Sequence, residues 1–181
     1  MLLTRLKSTW LYAGLPVIAI ALILVHIGRM DPFVMLRYEL VIIFGYVAAV
    51  LDLKTKRIPN GLVLTMLVAW VLTMTPMLFL DTGAAIGMLK DSALGFVIGG
   101  GLFLLVYIVS HKGLGGGDVK FMAVAGLYLG FGGAIPVMLY GTVLAALTGL
   151  ALILLKKIGR SDAIPLAPFL FAGILLTVFL Q

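Results

Sequence analysis

Two aspartates of this 181-residue chain occupy positions where a carboxylate is both unusual and chemically useful. Asp52 ends an apolar run just before a basic loop, and Asp118 follows a loop with glycine at four of five positions. Two carboxylates that lie close together share a proton, because both cannot ionise at once. The ionised partner can then activate water while the protonated partner donates to a carbonyl oxygen. Such a pair is suited to acid–base hydrolysis of a peptide bond without a covalent intermediate.

Each aspartate also has a purely structural interpretation. Asp52 is explained equally well as a helix-end residue paired with Lys54, Lys56 or Arg57. Asp118 is explained as the N-cap of the helix that follows the glycines, where its oxygen would accept free N–H groups. The residues alone leave both interpretations open.

The chain offers few other catalytic sets. It has no cysteine and only two histidines, which excludes thiol catalysis, zinc fingers and iron–sulfur clusters. It contains no H-E-x-x-H sequence, and its glycine-rich segment fits neither a P-loop nor a dinucleotide-binding pattern. We therefore expect no metal site and no cofactor.

The composition places these aspartates in a membrane protein. Apolar and aromatic residues make up 63% of the chain and charged residues 11%. A soluble domain averages about half apolar and about a quarter charged. We expect an all-α, polytopic membrane helical bundle that forms one domain over residues 1–181. The motif-bearing part is residues 40–180, and residues 1–39 add an N-terminal helix and loop.

Seven apolar runs are candidates for transmembrane helices. The fifth would form only about 20 Å of helix, which is short of a hydrocarbon core of about 30 Å. It either spans or re-enters, so the prediction is six to seven crossings. The runs are 11–27, 40–53, 61–80, 92–110, 119–131, 137–155 and 164–180.

The basic residues favour the spanning alternative. If all seven runs cross and the N-terminus is cytoplasmic, ten of the 13 Lys and Arg residues face the cytoplasm and three face outward. A re-entrant fifth run changes this division to seven against six. Because Lys and Arg accumulate in cytoplasmic loops, the first arrangement is preferred. It explains the net charge of +6 by topology and anionic lipid, with no nucleic acid as a partner.

Three segments carry a resemblance to a known family. Residues 52–60 (Asp-Leu-Lys-Thr-Lys-Arg-Ile-Pro-Asn) resemble the first aspartate motif of the type IV prepilin peptidases. Residues 115–120 (Gly-Gly-Gly-Asp-Val-Lys) resemble the GxGD-x-K motif, and residues 164–169 (Ile-Pro-Leu-Ala-Pro-Phe) resemble a third motif of that family. Each motif alone is weak, whereas the ordered set over about two thirds of the chain is specific.

The resemblance implies a GxGD membrane aspartyl protease whose catalytic pair is Asp52 and Asp118. It implies cleavage of a short basic leader from prepilin-like precursors, with the active site on the cytoplasmic face of the inner membrane. The expected partners are the prepilin substrate and the lipid bilayer. The residues assigned to support the pair are Gly115, Gly117, Lys120, Ile58, Pro59, Asn60, Pro165 and Pro168.

The supporting residues have individual expectations. Pro59 should turn the chain into the next helix, and Asn60 should cap that helix. Lys120 either holds the charge of the aspartate pair or extends to lipid headgroups. Pro165 and Pro168 should break the last helix near the active face.

Two further interpretations remain open at this point. A presenilin-like intramembrane protease shares the GxGD motif but usually shows Tyr-Asp at its first site, where this chain has Leu51 before Asp52. A small transporter would use broken helices and acids for an ion or proton path. Within the prepilin peptidases, the larger form carries CxxC motifs linked to N-methylation. The chain has no cysteine, so we expect the short, peptidase-only form.

Overall fold

The computed structural model describes residues 31–110, 113–159 and 162–180. The predicted first helix, 11–27, and the N-terminus lie outside the described residues. All regular structure within these ranges is helical, in agreement with the predicted all-α class. The helices are α1 (Pro32–Thr55), α2 (Asn60–Leu80), α3 (Thr82–Val109), α4 (Gly116–Leu154) and α5 (Ala167–Leu180).

Four of these helices are long and apolar enough to cross a membrane. They are α1 to α4, whereas α5 has 14 residues and is about 21 Å long. The sequence predicted six helices in this part of the chain, and the structure has five. The difference lies in the runs 119–131 and 137–155, which both belong to α4.

Helix α4 contains a break at Gly130, where φ is 68° and ψ is −175°. Glycine adopts this left-handed region without a Cβ penalty. The sequence predicted that the fifth run ends at residue 131 and the sixth begins at 137, so the break lies one residue before the predicted end of the fifth run. Pro136 lies inside the second part of the helix. We call residues 116–129 the first segment of α4 and residues 131–154 its second segment.

The two segments of α4 run in opposite directions. The first is antiparallel to α3, because Gly95 lies against Gly126 while Gly99 lies against Met122. The second segment is antiparallel to α5, with Gly141 against Leu170. Helix α5 is itself antiparallel to α1, because Asp52 contacts Ala167 while Gly45, earlier in α1, lies against Ile174, later in α5.

Three loops consequently lie at one end of the bundle, which we call the aspartate end. Lys56 Nζ donates to the carbonyl of Ala163 at 3.1 Å, which joins the loop after α1 to the loop before α5. The basic residues that follow α4 are thus at the same end as those that follow α1. The predicted topology, with ten Lys and Arg residues on one side of the membrane and three on the other, requires this arrangement. The face of the membrane on which this end lies stays a prediction.

Helices α1 and α3 begin earlier than their hydropathy predicts. The side chain of Asp31 accepts from the N–H of Phe33, and that of Asp81 accepts from the N–H of Ala84. These caps set the start of each helix. Several charged residues that the sequence placed in loops are therefore helical, namely Arg37, Lys90 and Asp91.

Helix α5 begins later than predicted, at Ala167 instead of residue 164. Pro165 lies in the non-helical approach, and Pro168 is the second residue of the helix. Proline is tolerated in the first turn, where an N–H has no helical partner. The two prolines therefore set where the helix begins and do not break it.

Candidate active site

Asp52 and Asp118 line one cavity of about 250 Å³ at the aspartate end. Their carboxylates are close enough for their charges to interact. The cavity is formed by the end of α1, the loop after it and the glycine-rich start of α4. Its lining residues are Asp52, Lys56, Arg57, Ile58, Gly115, Gly116, Gly117 and Asp118.

Asp52 lies near the C-terminal end of α1 and is only 5% exposed. Its Oδ2 accepts a hydrogen bond from the backbone N–H of Ala167 at 3.0 Å. Ala167 is the first residue of α5, so this N–H is one that a helix leaves without an internal partner. The third sequence motif is thus attached to the first through one carboxylate oxygen.

Asp118 is the third residue of α4, in its first turn. The N-cap is Gly115, so the structural interpretation of Asp118 as the cap is wrong. A Cβ at Gly115 would lie 2.6 Å from Asp118 Oδ2, which means that this oxygen sits directly over the glycine. Asp118 Oδ1 is buried and has no hydrogen-bond partner among the described residues. Because buried polar atoms are normally paired, a water or substrate group in the cavity is the natural partner.

Gly117 brings the first two motifs into contact. A Cβ at this position would lie 3.1 Å from Ile58 Cβ and 3.2 Å from the Ile58 carbonyl oxygen. Ile58 is 8% exposed and belongs to the main hydrophobic core. Glycine lets the start of α4 approach the loop after α1 this closely without a shift of Ile58.

The turn between α1 and α2 differs from its prediction in one respect. Helix α1 ends at Thr55, its C-cap Lys56 takes left-handed backbone angles, and Pro59 is the N-cap of α2. Asn60 is the first helical residue and makes no capping hydrogen bond, so its predicted role as a cap is wrong. Its Oδ1 instead accepts from Lys120 Nζ at 3.0 Å. This contact gives Lys120 a partner in the first motif.

The structure separates the supporting residues into two groups. Ile58, Gly115 and Gly117 line the cavity, whereas Pro59, Asn60, Lys120, Pro165 and Pro168 do not. Pro165 and Pro168 lie on either side of Ala167, whose N–H donates to Asp52. Sequence reasoning missed Lys56 and Arg57 as cavity residues, although both lie within five positions of Asp52. Within the described ranges no three His, Cys, Asp or Glu side chains come together as a metal site.

Comparison with known proteins assigns the family. A model of the type IV leader peptidase family matches residues 39–150. The match covers more than half of the chain and includes both cavity aspartates. The chain belongs to the type IV leader peptidase family. The resemblance drawn from the three motifs is confirmed, in preference to the presenilin-like and transporter interpretations.

Two curated relatives of this chain are both named prepilin leader peptidase/N-methyltransferase. The protein from Bacillus subtilis (strain 168) is 33% identical over 133 residues, which cover 72% of this chain and 50% of the relative. The protein from Xanthomonas campestris pv. campestris is 26% identical over 121 residues, covering 66% and 41% respectively. The chain thus matches half or less of the length of these relatives. No solved structure matches it.

Proposed function

We propose that this chain is an aspartic endopeptidase that removes the short basic leader from type IV prepilin-like precursors. The observation that supports this most directly is the cavity that Asp52 and Asp118 share within a leader peptidase fold. The names of the two relatives support the choice of prepilins as substrates.

The proposed reaction uses the two carboxylates as base and acid. One carboxylate takes a proton from a water molecule, whose oxygen attacks the carbonyl carbon of the scissile peptide bond. The other, protonated, carboxyl group donates to the carbonyl oxygen. When the tetrahedral intermediate collapses, the C–N bond breaks and the leaving amine receives a proton from the pair. The hydrogen bond from Ala167 fixes the orientation of Asp52, and Asp118 Oδ1, which accepts no hydrogen bond from the described residues, is available to a reacting group.

We further propose that the chain is a multi-pass protein of the cytoplasmic membrane with its aspartate end facing the cytoplasm. The distribution of basic residues supports this orientation. A precursor would then enter with its hydrophobic helix in the bilayer and its leader junction at the cavity.

The peptidase-only assignment is also part of the proposal. The chain has no cysteine, and the CxxC motifs of the larger form are the feature that accompanies methylation. We expect the new N-terminus of the cleaved product to be unmethylated. Mass spectrometry of the product made by the purified protein with S-adenosylmethionine present tests this, and a mass increase of one methyl group would contradict it.

The central experiment is co-expression of a prepilin with the wild type, with Asp52→Asn and with Asp118→Asn, followed by measurement of leader removal on a gel. Both variants should lose cleavage, because Asn can neither accept nor donate the proton in the required cycle. Asp162→Asn is the matched control, since this aspartate accepts from the N–H of Gly159 in a loop at the same end. Near wild-type cleavage by either cavity variant, once it is shown to be folded in membranes, refutes the assignment.

A further inference from the structure

At the break in α4, side chains from three other helices make hydrogen bonds to the backbone groups that the helix leaves unpaired. In an unbroken helix the N–H of Phe131 would bond to the carbonyl of Leu127. Here the N–H of Phe131 donates to Asp91 Oδ1 at 3.0 Å. The carbonyl of Leu127 accepts from Arg37 Nη2 at 2.6 Å and from Trp70 Nε1 at 3.0 Å. Each half of the missing helical bond is therefore satisfied from outside α4.

Arg37 is the centre of this arrangement. Its guanidinium is buried, with 4% of the residue exposed, and it also donates to Ser92 Oγ at 2.9 Å. A buried arginine inside a membrane bundle is expensive and marks a site of function. It lies on α1 fifteen positions before Asp52, about 22 Å away along the helix. Arg37 is therefore far from the aspartate cavity.

The segment that Arg37 binds is the one that carries Asp118. Residues 121–130 are all buried, so the first segment of α4 is enclosed by protein from Phe121 onward. Leu127 and Asp118 are nine residues apart on this segment, about 14 Å along a single rigid helix.

We propose that Arg37 is a positioning residue: by binding the Leu127 carbonyl at the break in α4, it fixes the helical segment that places Asp118 in the cavity. The inference rests on the proposed function, because it concerns the same carboxylate pair. In transporters, broken helix ends point at transported ions. Here the backbone groups on both sides of the break are hydrogen-bonded to protein side chains, which favours an anchoring role over an ion path.

The proposal predicts a loss in turnover without a loss in substrate binding. Arg37→Met keeps an apolar stem and removes the donors. Its kcat should fall about tenfold or more, because misplacement by about 1 Å can cost 100-fold in rate. Its KM should stay within about twofold of the wild type. Arg37→Gln, which retains a neutral donor for the Leu127 carbonyl, should recover part of the lost kcat.

A second measurement separates anchoring from general stability. Hydrogen exchange followed by mass spectrometry should show faster exchange in Arg37→Met for peptides from residues 116–129. Peptides from α2 and α5 should remain as protected as in the wild type. Equal acceleration in every helix would mean that Arg37 acts only on overall stability, and would overturn the proposal. This measurement needs no substrate.

Matched variants of the 181-residue chain complete the test. Lys90→Met removes an exposed cation one position from Asp91 and should behave like the wild type. If Arg37→Met does not accumulate in membranes, Arg37→Lys takes its place, because an ammonium cannot reproduce the fork geometry of the guanidinium. A kcat within twofold of the wild type in the folded variant overturns the proposal.

Failure of this inference can be distinguished from failure of the proposed function. If Asp52→Asn and Asp118→Asn are inactive while Arg37→Met retains full kcat, only the positioning role is wrong. If an aspartate variant cleaves normally, the catalytic assignment is wrong, and the exchange measurement alone decides whether Arg37 anchors the segment.

Discussion

Asp52 Oδ2 and the backbone N–H of Ala167 are joined by a 3.0 Å hydrogen bond that spans 115 positions of sequence. The bond links the end of α1 to the beginning of α5, and both residues are buried. It uses a donor that the start of a helix leaves free. One oxygen of the Asp52 carboxylate is thereby held in place.

Removing this donor should impair cleavage. In Ala167→Pro the N–H is absent, yet proline suits the first position of a helix, so α5 should still begin there. A hydrogen bond to a charged group contributes about 1.5–3 kcal/mol, so a loss of about tenfold or more in kcat is expected. Steady-state kinetics with a purified prepilin substrate measures this.

The control for this prediction is Ala167→Gly, which retains the N–H and removes only the methyl group. It should keep most of the wild-type kcat. If the glycine and proline variants lose kcat equally, the effect comes from packing around residue 167 and the hydrogen bond is not responsible.

Three consecutive glycines should respond differently to alanine. A Cβ at Gly115 would lie 2.6 Å from Asp118 Oδ2, and one at Gly117 would lie 3.1 Å from Ile58 Cβ. Gly115→Ala and Gly117→Ala should therefore displace the carboxylate or the Ile58 loop and abolish most cleavage. Gly116→Ala is the internal control, because its Cβ would meet only Tyr107, at 4.0 Å.

The same gel assay of leader removal compares the three alanine variants. A large loss in Gly116→Ala, with normal cleavage in Gly117→Ala, would contradict the close approach between the start of α4 and Ile58. Circular dichroism of the purified variants checks that each retains its helices.

Lys120 and Asn60 should act as a coupled pair. Lys120→Met and Asn60→Ala each remove one partner of the 3.0 Å hydrogen bond. Residues in direct contact typically show a coupling energy of 0.5–3 kcal/mol, and about 1 kcal/mol is expected here. A double-mutant cycle on thermal or denaturant stability measures it. If the two single substitutions change the free energy of unfolding additively, the contact between Lys120 and Asn60 contributes no coupling energy.

The reversal of α4 at Gly130 predicts a specific labelling pattern. The chain has no cysteine, so single cysteines can be introduced without a background thiol. Lys54→Cys and Lys157→Cys should react with a membrane-impermeant maleimide from the same face, and Thr82→Cys from the opposite face. All three residues are exposed. Labelling of residue 157 together with residue 82 would be incompatible with the reversal.

Much of the site was predictable because the relevant residues are rare. With few charges in an apolar chain, Asp52 and Asp118 were identifiable as candidates, and loop charge placed them at one end of the bundle. The structure brings them to one cavity. Helix α2 was also predicted within one residue, since its apolar run begins at the residue after Asn60.

The sequence predicted the end of the fifth run within one residue of the break in α4, but it could not identify Gly130 as the break, because hydropathy reports apolar content and not backbone handedness. Glycines at 130, 132 and 133 are equivalent in a hydropathy profile, and only the first takes positive φ. Arg37 and Asp91 were assigned to loops because a charge lowers the local hydropathy. Their helices continue because Asp31 and Asp81 cap them further upstream.

Ala167 could not have been identified from its side chain. It contributes a backbone N–H, which every residue except proline possesses. The only sequence signal was its position between two prolines, which determine where α5 begins.

The enclosed first segment of α4 separates catalytic geometry from the lipid. Hydrophobic mismatch makes lipid-facing helices tilt or shift when bilayer thickness changes. Residues 121–130 are buried in protein, and their depth is set by contacts with neighbouring helices. The position of Asp118 relative to Asp52 should accordingly be the same in thin and thick bilayers.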